Sequence, residues 1–108
     1  MPLFHTAGCA LGVLGTTQPQ AVHVPVVAFD PALVLEICET EAAGAVIGVP
    51  TMLIAMLEHP HFEKRDLSSL RVVVAGGAPV PAQLIRRVED LLEARCSVVF
   101  GTTECSPL

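Results

Sequence analysis

Residues 70–100 read LRVVVAGGAPVPAQLIRRVEDLLEARCSVVF, and the order of patterns inside this stretch decides the fold. LRVVVA is an apolar, β-branched run of the kind that forms a strand buried on both faces. GGAPVP interrupts it with turn residues. Over residues 82–95 the period changes: Leu84, Ile85, Val88, Leu91 and Leu92 fall on one side of a helix, and Arg86, Arg87, Glu89, Asp90 and Glu93 on the other. CSVVF then predicts a second strand. Strand, helix and strand in succession make a crossover unit between parallel strands.

The same alternation extends upstream. GAVIGV, residues 44–49, predicts a short apolar strand, and Pro50 opens a helix, TMLIAMLEH, whose apolar residues surround it and require burial. Asp30 followed by Pro31 is a cap and a first helical residue. The helix they start carries Leu33, Val34, Ile37 and Cys38 on one face, against Glu36, Glu39 and Glu41. Between the two blocks HPHFEKRDLSSLR, residues 59–71, reads as a polar, exposed connector. Nearer the start come a short apolar entry, PLF, a Gly- and Ala-rich helix over residues 7–15, and a Val-rich run over residues 21–28. The expected class is α/β, with alternating strands and helices and a mostly parallel open sheet covered by helices. There is no internal repeat.

Composition limits the function. A chain of 108 residues suits one domain with one core. Its formal charge of -5 lacks the clustered cations of a nucleic-acid footprint, so neither DNA nor RNA is an expected partner. All charged residues lie beyond residue 29. So apolar an opening segment needs covering, and an uncovered one predicts self-association. A membrane span is not expected, because the uncharged runs are broken by Gln18, Pro19, Gln20 and Pro25, and again by Gly48 and Pro50. No basic residue precedes the apolar region as in a signal peptide. Cys9, Cys38, Cys96 and Cys105 show no CxxC spacing and read as small buried apolar residues of a reducing compartment, with the cytoplasm as the expected location.

In open α/β sheets ligands gather beyond the carboxyl ends of the strands. That rule selects residues 5–8, 49–51, 76–79 and 101–104. Gly76 and Gly77 serve either a tight strand-to-helix turn or the close approach of backbone to a flat ligand. Phe100 is a core aromatic or a stacking surface. Thr102 and Thr103 offer hydroxyls and N–H groups suited to phosphate oxygens. Glu104 is a solvated turn residue or a ligand for a hard cation such as Mg²⁺.

PLFHTAG, GVPTML, DLSSLRVVVAGGAPVP and FGTTECSP, in that order and at these separations, resemble the central part of the large N-terminal domain of adenylate-forming enzymes. That superfamily holds acyl-CoA synthetases, luciferases and the adenylation domains of peptide synthetases, and PLFHTAG with PTML is most similar to its fatty-acyl-CoA synthetase branch. The resemblance implies that Gly76, Gly77, Ala78 and Pro79 form a wall beside adenine, with Phe100 stacking where the family usually has Tyr. Gly101, Thr102 and Thr103 would meet ATP or AMP, Thr103 at phosphate, and Glu104 would hold Mg²⁺. His5 would lie near the carboxylate or the acyl tunnel, and Gly48, Val49, Pro50 and Thr51 would help line the acyl pocket. Thr103, Glu104 and His5 are thereby the implied catalytic residues.

The implied reaction joins a carboxylate, a fatty acid by this branch, to ATP as acyl-AMP and then to the thiol of CoA. The family's phosphate loop, ribose-binding Asp, hinge and C-terminal catalytic Lys have no counterpart here, since the only lysine is Lys64 in the connector. Residues 1–108 therefore read as a single partial AMP-binding domain, an internal fragment expected to be inactive alone. The alternative is a truncated, non-catalytic α/β nucleotide-binding module. Other classes lack their marks: no G-x-G-x-x-G, no Gly-Lys-Ser/Thr and no G-x-S-x-G occurs. His59 with His61, and His5 with Cys9, lack the second matched pair that a zinc site needs.

Overall fold

The computed structural model describes residues 2–105. In chain order a π-helical segment (Ala7–Leu14) runs into one α-helical turn, α1 (Gly15–Thr17), followed by α2 (Pro31–Thr40), β1 (Ala45–Gly48), α3 (Pro50–Leu57), a 3₁₀ turn (Phe62–Lys64), β2 (Val72–Gly76), α4 (Ala82–Leu92), β3 (Arg95–Val99) and a last 3₁₀ turn (Thr103–Cys105). Two compact units result, Phe29–Val99 and Met1–Ala28 with Phe100–Leu108.

The unit Phe29–Val99 holds the sheet. Its first helix starts where the Asp30 carboxylate accepts the N–H groups of Ala32 (2.8 Å) and Leu33 (3.2 Å), with Pro31 as first helical residue. Such a cap is worth about 1 kcal/mol. At the other end the N–H groups of Ala42 and Ala43 donate to Glu39 O (3.2 Å) and Cys38 O (2.9 Å), the paired bonds of a Schellman turn. That turn requires a left-handed residue, and Ala42 supplies it at φ 47.

β1, β2 and β3 lie in that order, all parallel, with Gly48 opposite Ala75 and Gly76 opposite Val99. The α/β class and the parallel open sheet expected from the sequence are what the chain adopts. Sequential order with crossovers of one hand puts both connecting helices on the same face. The core accordingly gathers Leu35 and Cys38 of α2, Leu53, Met56 and Leu57 of α3, and Leu84, Val88 and Leu92 of α4 against Val73 and Ala75 of β2.

Several local expectations are corrected. β2 is not buried throughout: Val73 and Ala75 are buried and Val72 and Val74 half-buried, because the helices of this unit cover one face only. In α2 the inward stripe runs through Leu35 and Cys38, while Leu33 is 45% exposed. Packing against α3 fixes that stripe, and Leu33, two residues before Leu35, lies about 200° around the helix from it. α4 ends at Leu92 rather than Arg95, since Glu93 turns left-handed at φ 49 and Arg95 already pairs in β3.

The connector is not a free loop. Leu67 and Leu70 are buried, and Arg65 bridges Glu39 (2.8 Å) and Glu36 (3.5 Å). The Asp66 N–H donates to Glu39 Oε1 (2.9 Å), and the Ser69 hydroxyl donates to Ala43 O (3.0 Å). This N–H first, and the Arg65 guanidinium second, hold the Glu39 carboxyl below its ordinary range. The Ser68 hydroxyl (2.6 Å) and N–H (3.0 Å) do the same for Asp66.

In the other unit the helix expected at residues 7–15 forms, but as a π-helix over Ala7–Leu14 that passes into the α-helical turn Gly15–Thr17. The Val-rich run over residues 21–28 pairs with nothing among the described residues and is not a strand: Val22 is 84% exposed. Pro25 removes one donor from any ladder there. PLF likewise forms a turn, with the His5 N–H on Pro2 O (3.1 Å). Among the described residues no helix is long and apolar enough to cross a membrane.

Candidate functional site

Because the strands are parallel, their carboxyl ends share one edge of the sheet. β1 delivers Gly48, Val49, Pro50 and Thr51 there, and β2 delivers Gly76, Gly77, Ala78 and Pro79. Of the first group Gly48 and Pro50 are buried, Val49 is half-buried and Thr51 exposed. Gly48 packs under α3, where an added Cβ would meet Leu53 Cδ2 at 3.6 Å and Met52 Cβ at 3.7 Å. Val49 O accepts the N–H groups of Met52 (3.0 Å) and Leu53 (3.2 Å), which begins α3 at this edge. Thr51 and the half-buried Val49 are therefore the members of this group able to meet a ligand.

The glycine pair is dictated by geometry. Gly77 sits at φ +79, where an L side chain is strained, and a Cβ on it would approach Val49 Cγ1 to 3.3 Å. A Cβ on Gly76 would lie 2.7 Å from both Val99 Cγ2 and Val99 O. Gly77, Ala78 and Pro79 are exposed, so the turn presents backbone and small side chains as a flat surface. The structure thus joins three strand ends through two contacts, Val49 with Gly77 and Val99 with Gly76. Val99 was not singled out by the sequence reading, because a valine closing an apolar strand carries no mark that separates it from its neighbours.

His5 and residues 100–104 belong to the other unit. The Nδ1 of His5 accepts the Ala7 N–H (3.1 Å), which leaves the proton of the neutral ring on Nε2. His5 is exposed, with Nε2 available as a donor. Phe100 is 88% exposed, a position that leaves a ring face free for stacking. Gly101, Thr102, Thr103 and Glu104 are exposed as well, and the carbonyl of Thr102 accepts the Cys105 N–H (3.1 Å) in the final 3₁₀ turn. Ser106 and Pro107, which end the FGTTECSP motif, lie outside the described residues. Among the described residues no three His, Cys, Asp or Glu side chains cluster as a metal site. Glu104 and Thr103 nonetheless offer oxygen donors only, the set that fits a Mg²⁺ held by one carboxylate and by substrate phosphates.

Two grooves lie elsewhere. One of about 260 Å³ is lined by Glu39, Asp66, Ser69 and Arg71, and one of about 470 Å³ by Phe62, Leu67, Arg71 and Leu91. Both involve Arg71, which immediately precedes β2, so they belong to the amino ends of the strands and not to the edge that carries the glycines. His59 and His61 stack edge to face at 5.0 Å, with the His61 N–H on His59 Nδ1 (3.2 Å). The contact accounts for them as loop residues.

Comparison with known proteins agrees with the fold. The AMP-binding enzyme family matches residues 1–108. The chain is 40% identical over 109 residues to the putative acyl-CoA synthetase YngI of Bacillus subtilis (strain 168), covering 100% of this chain and 20% of that protein. It is 42% identical over 106 residues to a feruloyl-CoA synthase of an Amycolatopsis species, covering 98% of this chain and 21% of that protein. In three dimensions it superposes on the inhibitor-bound crystal structure of the N-terminal domain of FACL13 from Mycobacterium tuberculosis with a TM-score of 0.88 and 25% identity, covering 98% of this chain and 26% of that one. The chain spans about one fifth of the length of the curated relatives it matches. With the motifs, the parallel sheet and the match over every residue in agreement, the chain belongs to the AMP-binding enzyme family.

Proposed function

We propose that these residues form part of the large N-terminal domain of an ATP-dependent acyl-CoA ligase, and that they contribute its adenine wall, part of its metal site and part of its acyl pocket. The observation that carries this reading is the exposed, Cβ-poor turn at residues 76–79, set at the carboxyl edge of a parallel sheet by two glycines that accept no side chain. Relatives named as an acyl-CoA synthetase and a feruloyl-CoA synthase, each matched over nearly the whole chain, support it.

In this reading Gly76, Gly77, Ala78 and Pro79 are the adenine wall of their unit, and Phe100 of the other unit, 88% exposed, offers a ring face for stacking. Gly101 and Thr102 let the backbone approach the nucleotide, and the Thr103 hydroxyl and N–H bind a phosphate oxygen. Glu104 holds Mg²⁺, which when bound offsets charge on the phosphates. The Nε2–H of His5, which donates to none of the described residues, is a donor for the carboxylate of the substrate, and Gly48, Val49, Pro50 and Thr51 help line the acyl pocket. The first half-reaction joins carboxylate to the α-phosphorus and releases pyrophosphate, and the second moves the acyl group to the sulfur of CoA and releases AMP. Positioning and charge stabilisation carry such a reaction, so each wall matters. A fatty acid is the proposed carboxylate and the cytoplasm the proposed location. The 108 residues alone are expected to be inactive, and to associate through their apolar opening segment.

The test is calorimetric binding of a non-hydrolysable acyl-sulfamoyl adenosine to the full-length polypeptide that carries these residues. Tight binding that Gly77→Val weakens by more than about tenfold is expected, since a β-branched side chain at a positive φ displaces the adenine wall. No binding, or binding indifferent to both Gly77→Val and Glu104→Ala, would instead favour a non-catalytic module.

A further inference from the structure

We propose that Val99 is a positioning residue for the nucleotide turn, acting through Gly76 without touching nucleotide. The proposal rests on the reading of residues 76–79 as an adenine wall.

Gly76 is the last residue of β2 and pairs with Val99, the last of β3. The place a Cβ would take at Gly76 is already filled, by Val99 Cγ2 and Val99 O, each at 2.7 Å. Side chain and carbonyl of one residue thus close over the end of the central strand. On the opposite flank Val49 Cγ1 lies 3.3 Å from where a Cβ on Gly77 would stand, a looser approach than that of Val99. The turn lies between two β-branched residues whose χ1 freedom is small, which limits the sideways room of its backbone, most of all at Gly76. Val99 is half-buried, as is Val49. The left-handed φ of +79 at Gly77 is a conformation that neighbours must maintain, because glycine by itself is free to leave it.

Replacing Val99 by Ala removes the methyls that meet Gly76 and leaves every proposed ligand contact in place. Carboxylate-dependent ATP–pyrophosphate exchange by the full-length polypeptide separates the KM for ATP from that for the carboxylate. Val99→Ala is expected to raise the KM for ATP about three- to tenfold, with the carboxylate KM changed by less than about twofold, because binding geometry is lost at the adenine end alone. Val99→Ile keeps both branches at Cβ and is expected to restore the ATP value. Gly76→Ala drives a Cβ into Val99 and is the stronger perturbation, but it threatens folding, so Val99→Ala decides. An unchanged ATP KM in folded Val99→Ala, or ATP and carboxylate values rising together in step with a fall in Tm, would overturn the positioning role. Absence of exchange in the unsubstituted polypeptide would overturn that role together with the ligase reading, and so tells the two failures apart.

Discussion

Replacing Ala42 by glycine should stabilise the fold, although it deletes a methyl group and touches no other side chain. Ala42 closes α2 at φ 47, and its N–H and that of Ala43 complete the Schellman bonds. An L residue held left-handed costs roughly 1–2 kcal/mol relative to glycine. Glycine gives back roughly 0.4–1 kcal/mol through its greater freedom in the unfolded chain. The Ala42 side chain is exposed, so no burial is lost. The difference is a gain of about 0.5–1 kcal/mol, which for a domain of this size raises Tm by about 3–6 °C. Ala43 is the internal control, since it does not share the positive φ and packs against the core. Ala43→Gly should lower stability by about 1 kcal/mol through backbone entropy and lost contact. Urea denaturation followed by circular dichroism compares the two directly. If Ala42→Gly were destabilising to the same degree as Ala43→Gly, the Schellman assignment would be refuted.

Further expectations concern charge and thiols. Glu39 and Asp66 both have carboxyl pKa values lowered by hydrogen bonds from the connector. A depressed pKa contributes stability that is present above the unfolded values of 4.5 and 3.8 and is lost as pH falls through the folded ones. Denaturation midpoints should therefore fall on acidification below about pH 5, and Glu39→Gln should flatten that slope; an unaltered slope would remove Glu39 from the account. The Cys38 thiol is buried in the core and its pKa is raised by burial, whereas Cys9 and Cys105, against the burial expected of all four cysteines, are exposed because no core packs over them. Under native conditions a charged thiol reagent should label Cys9 and Cys105 first and Cys38 only on unfolding. Early labelling of Cys38 would contradict the placement of α2 over α3.

Much of the fold was legible because local and global signals agree. Asp30-Pro31, the VVVA run and the strongly two-sided α4 each specify one structure alone, although Leu91, expected on the inward side of α4, is 51% exposed. The errors share a cause, which is that burial depends on what a segment packs against. Leu33 has the right spacing for an inward face, but contact with α3 turned Leu35 inward beside the expected Cys38 and left Leu33 out. The Val-rich run at residues 21–28 has strand composition, yet a strand needs a partner and none of the described residues provides one. The connector looked polar because Glu63, Lys64 and Ser68 are exposed, while its anchoring leans on Leu67 and Leu70 and on the reach of Arg65 to α2, separations of more than twenty residues in the chain. At the candidate site the two glycines were visible as punctuation. Which of them answers to a left-handed backbone and which to the nearness of Val99 needed coordinates, because both demands write the same letter.

The central claim is that these residues serve carboxylate activation by ATP followed by transfer to CoA. Mass spectrometry of the products formed by the full-length polypeptide from ATP, Mg²⁺, CoA and a set of fatty acids tests it most directly. The account predicts a CoA thioester and AMP in equal amounts, and acyl-AMP when CoA is omitted. ADP as the nucleotide product, or no acyl-AMP and no thioester from any carboxylate, would contradict it.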